Sequence, residues 1–180
     1  VFRGYTTGAP IAMIIWNADH DSRAYEQLKT KMRPGHSDYP ALIKYKKFND
    51  FRGGGRFSGR LTATHVMGGA IARKLLKTTL GIETNSYTLQ VGKIRMSKVT
   101  QQMMKMIYSN EVRCPDKNTA KKMRDIILAA RKKGDSLGGV IESVTTNLPV
   151  GLGEPIFGSL ESDLGKALFS IPAVKGIEFG

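Results

Sequence analysis

Three consecutive glycines stand inside a run of arginines, Arg52-Gly-Gly-Gly-Arg-Phe-Ser-Gly-Arg60. Such a run continues neither a helix nor a strand, because glycine loses the most conformational freedom on ordering and opens backbone regions closed to other residues. The chain must loop here. From Arg33 to Gly59 the sequence is irregular, basic and glycine-rich, and reads as one long loop or a set of loops. Long loops in compact domains usually carry function. On the far side, Arg60 to Leu80 predicts a helix, with Ala63, Met67, Ala70, Ile71 and Leu75 on one face at spacings of three and four. Gly68-Gly69 sits in its middle, which is costly unless something packs closely there, and Gly81 supplies the stop.

The loop has the makings of a phosphate cradle. Glycines let backbone amides turn toward an anion without side-chain obstruction. A helix start near Leu61 attracts negative charge. Arg52, Arg56 and Arg60 add planar, bidentate donors, and Ser58 adds a hydroxyl. Two familiar phosphate loops do not fit: there is no Gly-x-x-x-x-Gly-Lys-Ser/Thr, and Gly53 to Gly55 do not give Gly-x-Gly-x-x-Gly directly after a strand. The residues alone therefore indicate a phosphorylated ligand without choosing one.

Upstream lies Arg33-Pro-Gly-His-Ser-Asp38. A lone histidine is commonly structural, but arginines around His36 disfavour a second positive charge on its ring, which suits a proton-transfer role. His20 and His65 lack such a setting and read as structural. The histidines and Cys114 make no metal-ligand spacing. Cys114 is the single cysteine, so no internal disulfide forms, as suits a reducing cytoplasm, and it reads as an inert small residue.

The remaining elements follow from periodicity. Pro10 to Trp16 is apolar on both faces and reads as a buried strand. Ala24 to Met32 reads as a short helix ended by Pro34, Glu83 to Ile94 as a strand, and Lys98 to Tyr108 as a short helix. Asp116 to Lys133 is the clearest amphipathic helix: Ala120, Met123, Ile126, Ile127 and Ala130 form its apolar stripe, Asp116 suits its start, and Gly134 follows its basic last turn. Gly139 to Leu148 reads as a strand, Ser159 to Ile171 as a helix, and Val174 to Phe179 as a final strand. The order indicates a mixed α/β fold. Net charge is +13 and the calculated isoelectric point about 10.0, which suits an anionic partner. No apolar run reaches the length of a membrane span, and no signal peptide is visible.

Read in order, Gly4-Tyr-Thr-Thr-Gly8, Asn17-Ala-Asp19, Arg33-Pro-Gly-His-Ser-Asp-Tyr39, Lys44-Tyr45, the Arg52–Arg60 loop, Gly134-Asp-Ser136, Gly151-Leu-Gly-Glu-Pro155 and Ser170-Ile-Pro-Ala-Val-Lys-Gly-Ile-Glu178 resemble chorismate synthases almost end to end. Gly55 to Thr62, with its Gly-x-x-Ser-Gly-Arg-x-Thr pattern, resembles a stretch diagnostic of that family. The resemblance implies an α+β fold, a helical layer sandwiched between antiparallel β-sheets, with residues 1–180 as a single, incomplete domain. It implies a lyase that converts 5-enolpyruvylshikimate 3-phosphate to chorismate by anti-1,4-elimination of phosphate, in the shikimate pathway of aromatic amino acid biosynthesis. Reduced FMN is the implied cofactor, with NADP, a cytoplasmic location and a homotetramer as further family associations. The implied partner is a small phosphorylated substrate, with no nucleic acid and no membrane.

By position, His36 matches the family's proton-donating histidine near the flavin; Arg56, Phe57 and Ser58 match the stretch contacting FMN; and Arg60 matches an arginine that holds the phosphorylated substrate. Phe57 departs from the serine found in many members, so any flavin contact there is through backbone or apolar surface, and Leu61 stands where glutamate is common. The chain opens on Val1, and the family's amino-terminal Ser-His-Gly motif and carboxy-terminal flavin segments do not occur in it. The expectation is of a site whose other walls lie outside these residues, and of a chain inactive by itself. The competing reading is a basic nucleic-acid-binding module, with Tyr45, Phe48, Phe51 and Phe57 interleaved among arginines and lysines.

Overall fold

The computed structural model describes residues 1–19 and 21–180, so His20 lies outside the described residues. The residues group into two compact units, 1–71 with 152–180, and 72–151. The helices are α1 (Asp38–Lys44), α2 (Thr62–Leu80), α3 (Lys117–Lys132) and α4 (Leu160–Leu168); the strands are β1 (Glu83–Val91), β2 (Ile94–Arg95) and β3 (Gly139–Thr146). Short 3₁₀ turns occupy Arg23–Lys29, Arg52–Phe57, Gly59–Leu61 and Met103–Ser109. This is an α+β arrangement with an antiparallel sheet.

The unit 72–151 is built on that sheet, ordered β2-β1-β3. The expected Glu83–Ile94 strand is a hairpin instead: Gly92, at φ 52°, turns the chain so that Gln90 pairs with Arg95 and Val91 with Ile94. Between β1 and β3, Thr84 meets Thr145 and Ser86 meets Ser143 through hydroxyl pairs of 2.9 Å each. The Tyr87 hydroxyl donates to Glu142 at 2.6 Å, and burial with that carboxylate pushes the phenol pKa up. The ladder slips by one residue between Thr88 and Gln90. Behind the sheet, Tyr87, Leu89, Met96, Ile107, Cys114, Ala120 and Met123 form a core. Met123 and Cys114 are fully buried. Burial pushes the Cys114 thiol up, which accords with an inert residue.

Of the predicted helices, α3 follows its sequence most closely. Asp116 caps it, its carboxylate accepting from the Thr119 N–H at 2.6 Å. Gly134 ends it at φ 67°, with Gly134 N–H donating to Arg131 O (3.1 Å) and Asp135 N–H to Ala130 O (3.0 Å), the paired bonds of a Schellman turn. Ala120 and Met123, from the predicted stripe, are its buried residues. Ser159 likewise caps α4 by accepting from Ser162 N–H at 3.2 Å.

Other expectations are corrected. Pro10 to Trp16 forms no strand, and Ile14, Ile15 and Trp16 are 63–82% exposed: extended apolar chain becomes a strand only beside a hydrogen-bonding neighbour, and no described strand runs alongside it. Val174 to Phe179 is unpaired for the same reason. The apolar stripe of α2 forms, but none of its residues is buried, and nothing lies within 4 Å of where a side chain at Gly68 or Gly69 would begin. Lys98 to Tyr108 tightens into the 3₁₀ turn at Met103–Ser109, and Ala24 to Met32 into that at Arg23–Lys29. The supposed Arg33–Gly59 loop contains α1, whose Pro40 falls in the first turn, where no helical N–H partner is lost. No described helix is long and apolar enough to cross a membrane.

Candidate functional site

In the unit 1–71 with 152–180, only Ala41 and Gly54 are buried among the described residues, and Gly54 marks the place where the two predicted motifs meet. The Pro-Gly step after Arg33 reverses the chain, with Gly35 at φ 73° and His36 N–H donating to Arg33 O at 3.3 Å. Asp38 thereby returns beneath Arg33. The guanidinium grips its carboxylate in two parallel bonds, Nε to Oδ2 at 2.8 Å and Nη2 to Oδ1 at 2.9 Å, and the Arg33 backbone N–H adds a third at 3.1 Å. His36 Nδ1 lies 2.7 Å from the same Oδ1. Arg33's bonds hold the Asp38 carboxyl well below the usual carboxylate range, against a partial burial that opposes the shift. The surroundings of His36 are therefore not arginine alone, as the sequence suggested: a carboxylate stands directly on its ring.

The three glycines explain how the loop reaches this cluster. Gly53 (φ 63°), Gly54 (φ 80°) and Gly55 (φ 52°) all lie in the left-handed region, a succession that other residues do not sustain. A side-chain carbon at Gly54 would stand 3.6 Å from Cε1 and Nε2 of His36 and 3.4 Å from Arg33 Nη2. One at Gly53 would sit 2.5 Å from Arg60 Nη2, which donates to the Gly53 carbonyl at 2.7 Å. One at Gly55 would run into the carbonyl of Asp50. Much of the glycine freedom thus lets the protein's own groups close in, and the Gly54 N–H is itself spent on Phe51 O at 3.2 Å. The cradle is less a row of free amides than a scaffold that fixes Arg60 on one side and faces His36 on the other.

The loop cations divide into committed and free. Arg52 is bound by Asp50, Nη2 to Oδ2 at 2.8 Å and Nε to Oδ1 at 2.9 Å, and these bonds hold the exposed Asp50 carboxyl down to about 2. Asp50 thus engages Nε and Nη2 of Arg52, while its Nη1 has no hydrogen-bond partner among the described residues. Arg56 is exposed and has no hydrogen-bond or ion-pair partner among the described residues, and Arg60 has no carboxylate partner among them. Ser58 accepts from the Arg60 N–H at 3.2 Å, capping the turn that leads into α2, and its own O–H stays available to donate. Phe57 is 37% exposed, with its ring centroid 6.4 Å from that of Tyr45. His65 has other partners: Nδ1 is 3.4 Å from Leu61 O and Nε2 3.2 Å from the Ser170 hydroxyl.

The structure thus brings His36 against the Gly53–Gly55 backbone and anchors Arg60 on that same backbone, with Arg56, Phe57 and Ser58 following directly. Sequence reasoning missed Asp38 and Asp50. The signal for Asp38 was the Pro34-Gly35 turn, which folds a residue five places on back against Arg33. The signal for Asp50 was its two-residue spacing from Arg52, within reach of a side-chain pair across a tight turn.

A family model described as chorismate synthase matches residues 1–180. A chorismate synthase of Dehalococcoides mccartyi is 54% identical over 182 residues, covering 100% of this chain and 50% of that protein. One of Pyrococcus abyssi is 48% identical over 180 residues, again covering 100% of this chain and 50% of that protein. A solved structure described as a crystal structure of chorismate synthase aligns with a TM-score of 0.70 at 29% identity, covering 79% of this chain and 46% of that one. The chain spans about half the length of the curated relatives it matches.

Proposed function

Because the chain belongs to the chorismate synthase family, we propose that its gene product is a lyase that eliminates phosphate from 5-enolpyruvylshikimate 3-phosphate to give chorismate, with reduced FMN. The observation that carries this reading is the convergence of His36, Arg60 and the left-handed glycine backbone within one loop cluster. The donor set suits an anionic, partly aromatic cofactor. Arg56 keeps a full set of guanidinium donors, the Ser58 O–H can donate, and Phe57 offers an exposed apolar ring.

In this reading Arg56, Phe57 and Ser58 hold FMN, and Arg60 holds the substrate's phosphate. Bound by those residues, reduced FMN would supply transient electron density for the loss of phosphate. Arg60 fits its part because one amino group is fixed on Gly53 O while the rest of the guanidinium stays exposed. The net charge of +13 draws anionic ligands toward the chain. His36 supplies the mobile proton from a ring half-buried beneath the loop. Residues outside this chain complete the walls, and the assembled enzyme is a cytoplasmic homotetramer.

Variants of the full-length gene product, assayed with reduced FMN supplied, test the assignments. His36→Ala should lower turnover by about 10²-fold, the lower end of what a positioned acid or base contributes, while FMN affinity falls much less. Arg60→Ala should raise the substrate constant at least tenfold, the equivalent of about 1.4 kcal/mol. Normal turnover in the first, or an unchanged substrate constant in the second, removes the corresponding role. Tight binding of nucleic acid at physiological salt, with no binding of FMN, would overturn the reading as a whole.

A further inference from the structure

The contacts of His36 are unequal in what they can decide. Arg33 Nη2 lies 3.2 Å from Nδ1 and 3.3 Å from Nε2, so it does not distinguish the two ring nitrogens. Asp38 does: its Oδ1 is 2.7 Å from Nδ1, an ion-pair contact with that nitrogen. A carboxylate carries no proton to donate, so its negative charge beside Nδ1 favours the tautomer with the proton on that nitrogen. The carboxylate itself has little freedom. Oδ1 also accepts from Arg33 Nη2 at 2.9 Å, and Oδ2 accepts from Arg33 Nε at 2.8 Å and from the Arg33 backbone at 3.1 Å. Its side chain is 11% exposed and it begins α1, so backbone and guanidinium fix its direction together. Nε2, in contrast, has no hydrogen-bonding partner besides Arg33 among the described residues and lies on the Gly54 side.

We infer that Asp38 is a positioning residue for the proposed reaction, holding His36 with its proton on Nδ1 so that Nε2 is the atom that exchanges a proton at the site. The protonated ring releases the Nε2 proton to the group it faces and is left as the neutral Nδ1–H form. Reprotonation at Nε2 reverses the step, and Nδ1 keeps its own proton throughout. Arg33 touches both ring nitrogens without choosing between them; its part is to lock the carboxylate and balance its charge. The inference rests on the proposed role of His36 for its catalytic consequence, but the tautomer is a property of the resting protein.

Two measurements on the full-length gene product separate these. The first is the tautomer of His36, read from the ring nitrogen shifts of protein labelled with nitrogen-15 histidine, at a pH where the ring is neutral and with the signals assigned by their loss in His36→Ala. The wild type should carry the proton on Nδ1. Asp38→Asn, whose amide can donate as well as accept, should lose that preference, and Arg33→Lys, which leaves the carboxylate in place, should keep it. The second is turnover. A carboxylate-to-amide change that yields the wrong tautomer lowers kcat by about 10⁴ in a buried serine-protease triad. His36 is 26% exposed, so water partly substitutes and Asp38→Asn should lower kcat by about 10²-fold with a change in KM below about threefold. An Nδ1 proton retained in Asp38→Asn overturns the inference, as does an Nε2–H form in the wild type. Full activity in His36→Ala would overturn the proposed function of the histidine instead, leaving the tautomer result to stand on its own.

Discussion

Replacing Gly53 with alanine separates the two jobs of the glycine loop. At φ 63° and ψ 12° the residue is left-handed, and an alanine there costs about 1–2 kcal/mol. That cost should appear as a lower unfolding free energy in a denaturant titration. The second effect is local. The new carbon would stand 2.5 Å from Arg60 Nη2, so the guanidinium must leave the Gly53 carbonyl that it now meets at 2.7 Å. A hydrogen bond from a charged donor nets about 1.5–3 kcal/mol, and the exposure of Arg60 puts this one at or below the lower end. Restoring Arg60 on binding should therefore raise the substrate constant by roughly tenfold. Gly54→Ala is the control. It carries similar left-handed strain, at φ 80°, but its carbon would meet Arg33 Nη2 at 3.4 Å and the His36 ring at 3.6 Å rather than Arg60. Steady-state kinetics with reduced FMN and varied substrate should show the raised constant in Gly53→Ala and a much smaller change in Gly54→Ala. Equal constants in Gly53→Ala and wild type, alongside a raised constant in Arg60→Ala, would refute the claim that the Gly53 carbonyl positions Arg60.

The other predictions concern stability. Met123→Ala empties the centre of the unit 72–151, where the side chain is fully buried, and should cost about 2–5 kcal/mol, read as a lower denaturation midpoint. Asp38 titrates lower when folded than when unfolded, so its contribution to stability is fully present above the unfolded carboxyl value near 3.8 and is lost as pH falls below it. Acid unfolding of Asp38→Asn should accordingly lack part of the pH dependence seen in the wild type between about pH 4 and pH 2, and identical acid limbs would contradict the Arg33–Asp38 clamp.

What could be read from the sequence was what local interactions decide. Helix α3 carries its own instructions: a 3.6-residue apolar stripe, an aspartate whose side chain reaches the third N–H, and a glycine where the backbone must turn left-handed. The glycine run was legible as a loop because few other residues could follow its backbone. Pairing was not legible. Pro10 to Trp16 has the composition of a strand but no described neighbour to bond with, whereas β1 finds β3 more than fifty residues away, as Thr84 and Thr145 show. The site was legible in its residue types and not in their commitments. Arg52 and Arg56 look alike in sequence, yet one is paired with Asp50 and the other has no partner among the described residues. The electrostatics of His36 turned on Asp38, which only the turn at Gly35 brings onto its ring.

The central claim is that this loop cluster belongs to an enzyme that eliminates phosphate with reduced FMN. The most direct measurement is anaerobic turnover of 5-enolpyruvylshikimate 3-phosphate by the full-length gene product, with chorismate and inorganic phosphate followed together. The account predicts equal amounts of both products, formed only when reduced FMN is present. Failure to release phosphate with reduced FMN and substrate both saturating, or release that proceeds equally without the flavin, would contradict it.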